Sequence, residues 1–511
     1  MLVIVGLPWA PCSLRSPAAV VDISNHGENE MKSMKFFHQL AVTAAITFSL
    51  ALCARAQTFT NLAAFNGGNG EYPNYGSMVQ ATNGDYYGTA DRGGEYGGGV
   101  VFGVTPAGKL SALYSFCAQT HCSDGNHPWG VVLGSDGNFY GVANQGGNHI
   151  GSGTIFRVTI GGKFTTLHTF CAAGVDCTDG EFPVGLVQGS DGNFYGAASI
   201  GGGTHNGGDG GTIFEISPSG EFRKLYTFCS RSNCSDGSYP ESGPMQANNG
   251  DLYGTTYDGG SQGYGVVYEI TTSGTFKVLY NFCSQADCAD GAGPFGGLIH
   301  DPDGNLYGTT LNGGANGYGT VFEITITGEF IVLHSFDNTD GAHPAAALVQ
   351  ANDGNFYGVT SNGGGSNDAG TIFEITTGGV FSSLYSLCLP SACNGYYPSS
   401  VLMQATDGTF LGTTYNGGSD GDGEVFSYSK GLGPLVKTVP VAGAAGQSVI
   451  ILGNNLTGSS SVTFNGTAAE FTVVSDTYIT ATVPPGATTG TVSVTTPTGV
   501  LKSNPAFQVL P

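Results

Sequence analysis

Between residues 58 and 430 the chain alternates short apolar runs with turns rich in Gly, Asp and Asn. In the stretch 184–228 this pattern predicts four strands: Val184 to Gln188, Asn193 to Ser199, Gly211 to Ile216 and Glu221 to Phe228. Ser-Asp-Gly joins the first two and Pro-Ser-Gly the last two, both tight hairpin turns in which Gly or Asp supplies the positive φ. The same unit recurs seven times. Its turn glycines are Gly84, Gly137, Gly192, Gly250, Gly304, Gly354 and Gly408, spaced 50 to 58 residues apart, each followed two positions on by an aromatic residue or Leu. A double glycine, such as Gly146-Gly147, and a Gly-x-(Val/Ile)-(Phe/Tyr) strand recur in phase. No repeat shows a 3.6-residue apolar period, which excludes helical solenoids. Four antiparallel strands per unit predict a propeller blade. The expected fold is therefore all-β: a seven-bladed β-propeller of four-stranded blades, followed by a small β-sandwich.

Closure of the ring is expected at the N-terminus of the repeats. Thr58 to Phe65 matches the fourth-strand segment Lys163 to Phe170, yet it precedes the first complete unit, and no fourth strand follows Val425-Phe426. Pairing the two would cover an otherwise open sheet edge. After Gly431 the repeat stops, and 440–511 becomes rich in Val, Thr and Ser, with short strands such as Ser448 to Leu452 and Tyr478 to Val483.

Upstream, Met31-Lys-Ser-Met-Lys, an apolar run from Leu40 to Leu52 and Ala54-Arg55-Ala56 have the order of a secretory signal peptide. The expected organisation is an upstream extension at 1–30, a signal peptide at 31–56, the propeller at 57–431, a linker at 432–439 and the sandwich at 440–511. The apolar run is short of the roughly 20 residues a membrane span needs. An exported monomer, released or held at the outer cell surface, is expected.

Composition narrows the partners. Formal net charge is −23 with 15 basic residues, which opposes the phosphate neutralisation that nucleic acid or anionic lipid requires. Ten cysteines follow the leader, as Cys117/Cys122, Cys171/Cys177, Cys229/Cys234, Cys283/Cys288 and Cys388/Cys393, each pair just after a fourth strand. Units carry two cysteines or none, which predicts local disulfides in an exported chain. Two ligands per blade cannot assemble a four-ligand zinc shell. Asp301-Pro302-Asp303-Gly304-Asn305 resembles the start of a calcium loop but lacks the acid twelve positions in, so it reads as a hairpin turn. No metal or cofactor is expected.

The cysteine loops and double-glycine loops are expected on one face, with a recurrent Asn/Asp-Gly-x-x-Pro element, as in Asp236 to Pro240 and Asn394 to Pro398. The residue before Pro is Tyr72, His127, Phe182, Tyr239, His343 or Tyr397 in six units, and Trp129 follows one of these prolines. These seven are the candidate ligand-face residues. The alternative is structural: Asp-Gly is a common turn dipeptide, and the aromatics would pack on the neighbouring blade. Catalytic motifs are absent at the level of sequence: there is no His-Glu-x-x-His, phosphate loop or Gly-x-Ser-x-Gly elbow with plausible partners.

The repeats, with Asp-Gly-Asn-(Phe/Leu)-Tyr-Gly and Gly-Thr-(Val/Ile)-Phe-Glu-Ile, resemble the tandem GloVer repeat of bacterial extracellular proteins, a choice-of-anchor family. Gly446 to Leu456, Val462 to Gly466, Val483 to Ala487 and Gly490 to Val494 resemble the IPT/TIG domain. That second resemblance implies an Ig-like sandwich; the first brings no catalytic residues with it. The expected function is a non-catalytic binding or adhesion protein whose loop face contacts extracellular polysaccharide or a cell-surface component. A secreted lyase or glycosidase, or an inert envelope module, are the alternatives.

Overall fold

The computed structural model describes residues 57–73, 76–147, 151–172, 177–203, 210–365, 367–389, 392–393 and 395–510. The upstream extension, the signal peptide and Asn394 lie outside the described residues.

Each repeat forms the four antiparallel strands its sequence predicts. The third is Glu181–Gln188, Phe194–Ile200, Thr212–Ile216 and Phe222–Thr227, paired in that order. Tyr195 faces Glu215 and Gly196 faces Phe214. A Cβ on Gly196 would stand 2.5 Å from the tip of the Phe214 ring, so the ring lies directly over the glycine. This explains why Tyr-Gly and (Val/Ile)-Phe recur together. The last sheet is Met403–Gln404, Phe410–Thr414, Glu424–Ser429 and, from the other end of the repeat region, Thr58–Ala64. Thr58 pairs with Ser429 and Ala64 with Glu424.

The expectation of a closed seven-bladed β-propeller is corrected. Strand pairing gives seven separate four-stranded sheets, with no ladder from one to the next and no closure into a barrel or propeller. The repeat counts strands and turns, but closure depends on contacts between units, which a period does not specify. In five sheets the first strand is only two residues long, as at Val79–Gln80, so little backbone is offered for pairing across units.

Side-chain packing joins the sheets instead. Val184, Tyr195 and Ile213 of the third form one core cluster with Leu252, Tyr268 and Ile270 of the fourth. Phe102 and Val104 of the first share a cluster with Leu411 and Val425 of the last. Along the fourth strands, an aromatic ring stacks on the Phe that opens the next fourth strand. Tyr114 meets Phe164 at 4.1 Å, Tyr226 meets Phe276 at 3.9 Å, and Tyr385 meets Phe59 at 4.5 Å. Such stacked pairs add roughly 0.5–1.5 kcal/mol beyond burial.

At the C-terminus, Lys437–Val439, Ser448–Leu452, Tyr478–Thr482 and Phe471–Val473 form one sheet, and Ser461–Phe464 and Val492–Thr496 are central in a second. Val449, Ile451, Val462, Phe464, Val494 and Phe507 fill the space between them. This is the small sandwich expected.

Candidate functional site

Three loops of each unit interlock through their main chains. In the unit before the fourth sheet, the Cys229–Cys234 disulfide closes the loop after the fourth strand. The other four cysteine pairs are bonded likewise, Cys117–Cys122, Cys171–Cys177, Cys283–Cys288 and Cys388–Cys393. Asp236, fully buried, then gathers the loop: its carboxylate accepts from Tyr226 Oη at 2.7 Å, Ser230 N at 3.0 Å and Arg231 N at 3.3 Å. Asp124 and Asp290 repeat this with Tyr114 and Tyr280. Asp179 and Asp340 use histidine in place of tyrosine, with His168 Nε2 at 2.9 Å and His334 Nε2 at 2.8 Å. One side chain thus stacks on the next sheet and holds the loop acid.

The double glycine closes onto the cysteine loop. Gly260 N–H donates to the Cys234 carbonyl at 2.9 Å, with the same bond at Gly147 to Cys122 and Gly314 to Cys288. Both glycines of a pair have left-handed φ, 75° and 79° at Gly259 and Gly260. The cysteine loops, double-glycine loops and Asn/Asp-Gly-x-x-Pro elements therefore share one face.

The residue before the motif proline pins neighbouring sheets. Tyr239 N–H donates to Gly210 of the preceding unit and its carbonyl accepts from Tyr257 of its own, both at 2.9 Å. Holding both bonds requires a left-handed backbone: Tyr72, His127, Phe182, Tyr239, His343 and Tyr397 have φ between 53° and 56°. In the remaining unit Gly293 takes the place, at 60°. The proline then seats on a glycine of the preceding unit, where a Cβ on Gly211 would lie 2.7 Å from Pro240 Cδ. The main chain of the motif is thus accounted for by sheet-to-sheet attachment.

Their side chains differ in what they leave available. Tyr72 stacks on Tyr415 at 4.9 Å with the Arg92 guanidinium 5.9 Å from its ring centre. His127 Nδ1 pairs with Asp91 Oδ1 at 3.0 Å, and His343 Nδ1 lies 2.9 Å from the Leu311 carbonyl. Phe182 is half-buried. Tyr239 and Tyr397 stand 39% and 41% exposed. On double-glycine loops, Tyr96 and Tyr264 are exposed as well, at 50% and 48%. Sequence reasoning passed over these two, though their place beside the recurrent glycines marks them.

Trp129 instead lines a cavity of about 290 Å³ where segments from all seven sheets converge, together with Val184, Phe295, Ala345 and glycine main chain. Glu241 is the one acid in this lining. Burial, reinforced by the nearby Asp258, pushes its carboxyl up to about 7. It is visible in sequence as the one acid among the residues that follow the seven motif prolines.

A second opening, of about 500 Å³, is bordered by Tyr318, Asn338, His343, Asn362, Gly365 and Asp368. Here only three residues separate Phe336 from Asp340, against seven between Phe228 and Asp236, and no disulfide loop covers the notch.

Among the described residues no group of three or more His, Cys, Asp or Glu could hold a metal ion. Asp301 of the calcium-like turn accepts from Asn305 N–H at 3.0 Å and Tyr307 Oη at 3.1 Å, a hairpin anchor. No helix among the described residues is long and apolar enough to cross a membrane.

Residues 39–246 and 211–426 match the Gloeobacter/Verrucomicrobia repeat, and residues 435–509 match the IPT/TIG domain. The chain belongs to the Gloeobacter/Verrucomicrobia repeat family and carries a C-terminal IPT/TIG domain. No curated protein matches it. Similar solved structures include two of the extracellular domain of one B. thetaiotaomicron protein, named in one as a hybrid two-component and in the other as a one-component system. They are 13% and 10% identical, with TM-scores of 0.48 and 0.47, over 90% and 88% of this chain. The chain spans 60% and 59% of their lengths. The PQQ-bound aldose sugar dehydrogenase of Streptomyces coelicolor is 12% identical at a TM-score of 0.39, over 73% of this chain and 98% of that one. Likeness this distant transfers neither activity nor ligand.

Proposed function

We propose that this is a secreted or cell-surface, non-catalytic binding protein whose loop face contacts extracellular carbohydrate. The observation that carries the reading is the set of exposed tyrosines on that face, Tyr96, Tyr239, Tyr264 and Tyr397, on loops whose main chains are fixed by hydrogen bonds and disulfides. Rigid aromatic rings offer apolar faces to sugar rings at little entropic cost. The notch of Tyr318, Asn362, His343 and Asp368 adds amide, imidazole and carboxylate groups suited to sugar hydroxyls. The mature chain on a glycan array is expected to bind a defined polysaccharide class, with Tyr239→Ala/Tyr264→Ala/Tyr397→Ala weakening it at least tenfold. Absence of glycan binding together with absence of cell-surface association on fractionation would refute the reading.

A second reading, a secreted lyase or glycosidase, is favoured by one observation. Glu241, with its carboxyl raised to about 7, is poised for proton transfer in the central cavity. It predicts polysaccharide depolymerisation that is lost in Glu241→Gln.

A further inference from the structure

The C-terminal sandwich sits against the turn side of the repeats. Leu452, Ile450 and Tyr478 share a cluster with Ala81 and Leu133, and Thr477 Oγ1 donates to the Thr82 carbonyl at 2.5 Å. Asn504 Nδ2 donates to the Gln350 carbonyl at 2.8 Å. Between the two parts remains a cavity of about 260 Å³. Its walls are largely apolar: Met78, Leu133, Val349 and Met403 from the repeats, Val439 and Leu452 from the sandwich.

One charged side chain lines this space, Lys437, and no acid does. Lys437 has no hydrogen-bond or ion-pair partner among the described residues. The amides around it are already committed. Gln404 Nε2 donates to Asn352 Oδ1 at 2.9 Å, and Gln350 Nε2 donates to the Gly354 carbonyl at 3.2 Å. Burial draws the Lys437 amine down to about 8, so it still carries its charge at neutral pH. An ammonium among apolar walls with no counter-charge is costly, and a bound anion removes the cost.

We propose that this cavity is a binding site for a small carboxylate with an apolar body, its carboxylate on Lys437 and its body against Met78, Leu133, Met403 and Leu452. A phosphate dianion would need several charged donors, and Lys437 is the one cation in this lining, with the buried, unpartnered Thr438 hydroxyl as a further neutral donor. The volume lies just below the roughly 300 Å³ at which drug-sized pockets begin, so the ligand is small. This inference does not depend on the loop face.

The test uses the mature full chain and calorimetric titration with phenylacetate and octanoate, against octanamide and inorganic phosphate. The expected result is saturable binding of at least one carboxylate, with octanamide and phosphate at least tenfold weaker. Lys437→Met should weaken carboxylate binding at least tenfold and raise the melting temperature of the unliganded protein, whereas Lys437→Arg should retain binding. Labelling of Lys437 by trinitrobenzenesulfonate, read by peptide mass mapping, should be slowed by the carboxylate in the wild-type protein, a readout that needs no variant. The proposal is overturned if neither carboxylate binds, if octanamide or phosphate binds as well, if Lys437→Met binds unchanged, or if the carboxylate leaves labelling unaltered.

Discussion

Gly423, at the entry to the third strand of the last sheet, lies against the ring of Pro73 in the first. A Cβ on the glycine would stand 2.6 Å from Pro73 Cδ. Gly99 meets Pro128 in the same way at 2.5 Å, and Gly211 meets Pro240 at 2.7 Å. Tyr72, just before Pro73, donates its N–H to the Asp422 carbonyl at 2.8 Å. The first and last sheets are therefore fastened by the latch that fastens every other neighbouring pair, although no strand ladder runs between them.

That latch can be separated from mere backbone strain. Gly211 and Gly250 have similar φ, 94° and 86°, but the first is pressed by Pro240 and by the Ala198 and Ser199 carbonyls, and the second has nothing within 4 Å of its virtual Cβ. Gly250→Ala should cost about 1 kcal/mol, the price of a left-handed alanine. Gly211→Ala should cost about 3 kcal/mol, because Pro240 and the Ala198 and Ser199 carbonyls, at 2.5 and 2.7 Å, must also move. Urea unfolding of both variants measures the difference; equal losses would mean that the close packing around Gly211, Pro240 included, contributes nothing.

The loop acids should show in acid unfolding. Burial raises the Asp179 carboxyl, but His168 Nε2 at 2.9 Å and the Cys171 N–H at 3.1 Å outweigh it and hold the group below its ordinary value of 3.8. A depressed folded value gives a contribution that is complete above the unfolded pKa and vanishes as pH falls through the folded one. Asp179→Ala should therefore cost about 1–3 kcal/mol at pH 7, and the gap to wild type should narrow below pH 4. His168→Tyr should be nearly neutral at pH 7, since Tyr226 already serves Asp236 in that way. A pH-independent gap for Asp179→Ala would contradict this account.

The strands, their turns and the disulfide pairs were legible because each rests on local chemistry repeated in phase. Gly196 under Phe214, or Asp236 inside its cysteine loop, is a contact within one unit, so period and composition expose it. What joins units was not legible. Nothing in the sequence says that Tyr239 must adopt a φ of 56° to reach Gly210, so packing on the neighbouring blade, the favoured reading, stood beside ligand contact with no geometry to decide between them. The closed propeller was expected for the same reason, and the separate sheets correct it. Part of the acidity of the chain lies in such loops, where Asp124, Asp236 and Asp290 are fully buried acceptors.

The N-terminal strand should matter out of proportion to its length. Thr58–Ala64 pairs along Glu424–Ser429, and Phe59 stacks on both Tyr385 at 4.5 Å and Phe426 at 5.2 Å. Deleting residues 57–66 bares a strand edge and removes Phe65, which is fully buried between the first and last sheets. The melting temperature should fall by about 5 °C or more, with a broader transition in calorimetry. Unchanged melting would show that the edge strand is dispensable.

Glu241 should make the protein more stable in mild acid than in mild base. Burial, and then the neighbouring Asp258, lift its carboxyl from 4.5 to about 7. Between those values the folded protein holds a proton that the unfolded chain has released, so this group's contribution to stability declines as pH rises from about 4.5 to about 7 and is flat above. Glu241→Gln removes the titration while keeping the shape. The variant should match wild type at pH 4.5 and exceed it by about 1–2 kcal/mol at pH 8, the gain being limited by the partial exposure of the side chain to the cavity. Urea unfolding at the two pH values reads the effect directly. A gap between variant and wild type that is the same at both pH values would mean that the carboxylate is solvated through the open cavity, and would remove the ground for assigning Glu241 any proton-transfer role there.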